Sequence, residues 1–107
     1  MPYKVLGQLA ATTSATAVYT VPASTETVVS TITVCNRAAA IKTYRIILRP
    51  NDETLADKHY LAYDVAIAAN DTVALTLGIT MDASDKLYVS SSTNDLSFNV
   101  FGSEKAV

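Results

Sequence analysis

Apolar and polar residues alternate along most of this chain with a period of two. In ETVVSTITVC (26–35), Val28, Ser30, Ile32 and Val34 fall on one face and Val29, Thr31, Thr33 and Cys35 on the other. β-Branched residues fill both faces, so the segment predicts a strand. TYRIILR (43–49) repeats the pattern: Tyr44, Ile46 and Leu48 point one way, Arg45, Ile47 and Arg49 the other. The short run 36–40 between them predicts a hairpin or a crossing between sheets. Further on, Val73, Leu75 and Leu77 alternate until Gly78, which reads as a bulge. Leu87 and Val89 form another set, and Leu96, Phe98 and Val100 another, the last alternating with Ser97, Asn99 and Phe101. Turn residues separate these runs at 69–71, 82–85 and 92–95. Shorter strands are expected over 3–9 and over 17–21, where Pro22 stops the second. Residues 53–60 allow one helical turn, and 59–65 read as a strand.

The count is seven or eight strands at a spacing of about ten residues. The expected fold is therefore all-β: an antiparallel sandwich, jelly-roll-like, in a single domain spanning 1–107. The segments 1–16 and 101–107 are expected as arms, the first containing the Thr/Ser/Ala-rich stretch 10–17.

Charged residues make up only 17% of the chain, below the ~25% usual for soluble domains. Thr, Ser and Ala take their place. Such a surface suits packing against neighbours, because burying charge costs desolvation energy. The net charge of −2 and the lack of a basic run argue against nucleic-acid binding; Lys42, Arg45 and Arg49 are the densest basic group. The N-terminus lacks the features of a signal peptide and no window of the chain reaches the ~18 apolar residues of a membrane span, so a soluble protein made in a cytoplasm is expected. One cysteine permits no internal disulfide.

The candidate chemistry is thin. Cys35, His59 and either Asp57 or Asp64 can be written as a nucleophilic trio. However, no helix N-terminus or cysteine-hydrolase signature accompanies Cys35, and Arg37 reads as the start of a turn. Cys35 is expected to be a small buried hydrophobe, and His59 a hydrogen-bonded sheet or loop residue. A lone histidine does not make a zinc site. The acidic turns (Asn51, Asp52 and Glu53; Asn70 and Asp71; Asp82 and Asp85) lack the spacing of a calcium loop. Three glycines cannot supply a phosphate loop, and without tryptophan there is no aromatic cleft for glycoside cleavage. The expectation is no enzyme activity, no cofactor and no metal.

Surface groups are more informative. Phe101 points away from Leu96, Phe98 and Val100, and Ile47 away from Tyr44, Ile46 and Leu48. Both are expected at the surface unless a loop or terminal segment folds over them. With Tyr3 and Val5 of the N-terminal segment, they are the expected partner contacts.

YTVPASTETVVSTITVCNR (19–37) resembles a segment of small virion structural proteins of tailed bacteriophages. KHYLAYDVAIAANDTVALTLGITMDASDKLYV (58–89) and LSFNVFGSE (96–104) fit the same pattern in the same order. The resemblance implies a β-sandwich with no catalytic residues, serving as a capsid cement or decoration protein or as a tail-associated part. The leading expectation is a cement protein on the outer surface of the major capsid shell. It would be located in the virion, assembled in the host cytoplasm, and would form a dimer or trimer, with no nucleic-acid or membrane partner. A tail, baseplate or fibre-anchoring role is the first alternative. A carbohydrate-binding adsorption module using Tyr60, Tyr63 and Tyr88 is the second.

Overall fold

A computed structural model describes residues 2–107. Nine strands occur among them: β1 (Lys4–Ala10), β2 (Thr16–Thr20), β3 (Thr25–Asn36), β4 (Lys42–Arg49), β5 (Tyr60–Ile67), β6 (Thr72–Leu75), β7 (Ile79–Met81), β8 (Lys86–Ser91) and β9 (Leu96–Ala106). The only helical pieces among the described residues are 3₁₀ turns at Pro50–Asp52 and Asp57–His59. The first sheet runs β1-β9-β3-β6, with β7 also on β3; the second runs β2-β8-β4-β5. Every pairing is antiparallel.

The pairings are nested. β4 pairs with β5, β3 with β6 and β7, β2 with β8, and β1 with β9. The chain is thus one long hairpin rolled over on itself, with successive strands mostly changing sheet. This is the double Greek key of a jelly roll. The expected β3–β4 connection is therefore a crossing between sheets and not a hairpin. The single strand expected across Gly78 is two strands, because Gly78 has φ +62° and breaks the ladder. Most of the two expected arms lies in strands: β1 pairs with β9, whose own span runs from 96 to 106.

The core lies between the sheets. Val29, Ile32 and Val34 of β3 and Leu96, Phe98 and Val100 of β9 meet Tyr44 and Ile46 of β4 and Leu87 and Val89 of β8. Tyr44 packs edge-on to Phe98, with ring centroids 6.1 Å apart. The face assignment along β3 needs one correction. The β3–β9 register shifts between Val29 and Thr31, so Val29 is in the core while Val28 faces out. A one-residue bulge reverses which alternate residues are buried. The Ser30 hydroxyl donates to the Phe101 carbonyl at this bulge.

Two glycines mark close approaches. A Cβ on Gly7 would sit 2.2 Å from the Val18 carbonyl oxygen, where β1 meets β2 across the edge of the sandwich. A Cβ on Gly102 would sit 2.0 Å from the Val28 oxygen, at the β3 bulge.

Candidate functional site

The two outer faces of the sandwich differ in chemistry. On the first sheet, cross-strand register gives three rows. Val5, Phe101 and Thr31 align; Gln8, Asn99, Thr33 and Ala74 align; Ala10, Ser97, Cys35 and Thr72 align. Their sequence neighbours Ile32, Val34, Phe98 and Val100 are buried, so these rows face outward. None of the rows contains a charged residue. Charges on this sheet's strands gather at one end, at Lys4, Glu26, Glu104 and Lys105. Val5 is 51% exposed and Tyr3, just before β1, 73%. Phe101 is half-buried.

Cys35 belongs to this outer face and not to the core, so the expectation of a buried cysteine is corrected. It is half-buried between the cross-strand partners Ser97 and Thr72. Arg37 continues past the strand end: its Nε donates to Ser97 Oγ at 2.9 Å and its Nη2 to the Asn94 carbonyl at 2.8 Å. His59 lies in the turn entering β5 of the other sheet, so Cys35 and His59 belong to different sheets. His59 is 4% exposed. Its Nδ1 accepts from the Ala56 N–H and its Nε2 faces Glu53 Oε1 at 3.1 Å; neither Asp57 nor Asp64 is its partner. These bonds set the turn that carries the chain into β5.

Ile47 offers no contact surface. It is 2% exposed, because segment 50–59 returns across the outer face of the second sheet. Asp52 reaches Lys86 (3.3 Å), Arg49 (3.5 Å) and the Tyr88 hydroxyl (3.1 Å), and the Asn51 N–H donates to Asp85 Oδ1. The acidic turns thus hold loops in place. Lys86 and Tyr88, through hydrogen bonds, hold the Asp52 carboxyl below its ordinary pKa. Among the described residues no three His, Cys, Asp or Glu side chains converge as a metal site would require.

The rest of the second sheet's outer face is aromatic and charged. Between the pairs Tyr44–Val65 and Ile46–Ala62, one residue of β4, Arg45, faces two of β5, Tyr63 and Asp64. Asp64 sits in this bulge at φ 51°. Arg45 therefore meets both residues. Its Nε and Nη2 donate to the two Asp64 oxygens at 2.7 and 3.1 Å, and its guanidinium lies 4.1 Å from the Tyr63 ring centre. The hydrogen bond from Arg45 holds the Asp64 carboxyl low and raises the guanidinium further. Tyr60 stands perpendicular to Tyr63 at 4.9 Å, and Arg49 caps Tyr88 at 4.6 Å. The three tyrosines are therefore not a coplanar row. Beside Arg45 and Asp64 lies an open depression of about 280 Å³, also lined by Thr13, Thr43, Ser90, Ser91 and Ser92.

Two internal polar clusters had no sequence signal. Asn36 is buried; its amide donates to the carbonyls of Ala40, Ile67 and Ala68, and its Oδ1 accepts from the Ala38 N–H. Tyr19 of the second sheet donates to Glu104 of the first at 2.5 Å, which leaves the Thr27 hydroxyl to donate back to Tyr19 at 2.7 Å. Burial pushes the Tyr19 phenol up to about 12. Lys4 and Tyr19, by hydrogen bonding, hold Glu104 below the usual carboxylate range.

No family of known proteins and no curated protein matches this chain. Among solved structures, it is similar to a chain of the structure of infectious bursal disease virus, Gx strain, with a TM-score of 0.53 and 13% identity. The match covers 96% of this chain but only 30% of that one. At this identity the likeness is one of fold.

Proposed function

We propose that this chain is a structural protein of a virus particle, a cement protein that seats the first sheet's outer face on the assembled major capsid shell. The observation that carries the reading is the surface of the three cross-strand rows, which contain no charged residue and are bordered by Arg37 at Ser97. Desolvating charge is the main cost of burying a polar surface. A face of Thr, Ser, Ala, Asn, Gln and Cys, edged by Val5 and Phe101, keeps it small and still offers hydroxyl and amide groups for pairing. The jelly-roll strand order and the fold likeness to a chain of a virus structure support the same reading.

The proposed action is adhesive, with no catalytic step. Each copy contributes a modest contact, and repetition over the shell multiplies it. The test is binding of the purified protein to shells that lack it, followed by co-sedimentation. Val5→Glu combined with Thr33→Glu is expected to weaken binding roughly tenfold or more while the fold is retained. Unchanged binding by a folded double variant would sink the assignment of this face. A tail-associated role is separated by copy number, which is small for a tail part.

A further inference from the structure

From the geometry around Arg45 we infer a binding site for an uncharged sugar on the second sheet's outer face, in the depression formed by Thr13, Thr43, Arg45, Asp64 and Ser90. The site is independent of the shell contact and lies on the opposite side of the sandwich.

The bulge is the first observation. An extra residue in β5 and a left-handed Asp64 place a carboxylate and an aromatic ring opposite the same arginine. Asp tolerates φ 51° better than most residues, but the conformation is not free. A bulge of this kind re-aims side chains. Here it aims the Asp64 carboxylate at a depression and not at the core, while the Tyr63 ring lines a separate hollow with Asp57 and Tyr60.

The second observation is pre-organisation. The two-pronged Arg45–Asp64 pair and the Tyr63 contact lock three side chains in one arrangement. Arg45 keeps Nη1 outside this pair, and each Asp64 oxygen has a further lone pair. Guanidinium donors beside carboxylate acceptors match neighbouring hydroxyls of a pyranose, each of which donates and accepts. The depression's size suits one sugar ring.

Charge selects the class. An anion would face Asp64, and a cation would face Arg45. An uncharged polyhydroxylated ligand meets neither penalty, and it can pair with the hydroxyls of Thr13, Thr43 and Ser90.

The test is an amide and arginine side-chain NMR titration of the isolated full chain. The probes are glucose, galactose, mannose, N-acetylglucosamine and their β-linked disaccharides. Saturable shifts are expected for at least one sugar, confined to Thr13, Thr43, Arg45, Asp64 and Ser90, with a Kd on the order of 1 mM. Asp64→Asn is expected to weaken binding roughly tenfold, and Thr43→Val, which leaves the ion pair intact, severalfold. No saturable shift with any of the sugars would overturn the proposal. So would saturable shifts located elsewhere, or full binding by folded Asp64→Asn. Because the assay contains no shell, its outcome is separate from that of the shell-binding reading.

Discussion

Replacing Asn36 by alanine tests whether the crossing between sheets is held by a single side chain. Asn36 closes β3 just before the chain passes to β4, and its amide bonds to carbonyls on both sides of that crossing: Ala40 after β3, and Ile67 and Ala68 at the end of β5. Asn36→Ala removes three donated contacts and one accepted from Ala38. The Ile67 carbonyl contact is fully buried, and the other three are partly open to water. One buried acceptor left unpaired costs about 1–3 kcal/mol, and each partly hydrated bond contributes about 0.5 kcal/mol. The expected loss is about 3 kcal/mol, or roughly 15 °C in Tm for a domain of this size. Urea denaturation followed by circular dichroism measures it, with the slope checked for two-state behaviour. Asn36→Asp keeps the shape but points a carboxylate at carbonyls, which raises the folded-state pKa of the new acid. Its deficit relative to the parent protein is therefore full above that pKa and shrinks as pH falls through it. A loss below about 1 kcal/mol for Asn36→Ala, or no pH dependence for Asn36→Asp, would refute the reasoning.

The link between the sheets at Tyr19 and Glu104 is also pH-dependent. Glu104 has a depressed folded pKa, so its contribution is complete above the unfolded value near 4.5 and is lost as pH falls through the folded value. Glu104→Gln should cost about 1–2 kcal/mol at pH 7. That difference should narrow below pH 4 in paired urea titrations; equal deficits at both pH values would contradict it. The glycines should rank by contact. Gly102→Ala drives a Cβ into the backbone of β3 and should cost about 3 kcal/mol or more. Gly78→Ala meets open space and bears only its left-handed φ, about 1–2 kcal/mol. The opposite order in thermal melts would contradict the bulge geometry.

The period-two pattern is enough to read the fold class, because residues facing a core must recur at every second position of a strand. It also places Tyr44, Ile46, Leu87, Val89, Leu96, Phe98 and Val100 in the core, where they are. It does not reveal bulges. Val28 and Val29 are both suited to a core, so nothing local marks the slip at Ser30 that sends Val28 outward. Ile47 is covered by a segment whose own apolar residue, Leu55, stays exposed, so that segment does not advertise its fit. The pairing of Arg45 with Asp64 depends on register across two strands. Its one trace in the sequence is the charged residue that interrupts the alternation of YLAYDVAI. In the sequence Asn36 reads, with Arg37, as the start of a turn; its burial follows from contacts with residues about thirty positions away.

The shell-binding account is tested most directly by counting this polypeptide against the major capsid protein in purified particles by quantitative mass spectrometry. The account predicts a ratio near one, or a simple fraction of it, across the shell. A handful of copies per particle would move the protein to the tail, and its absence from particles would contradict the account.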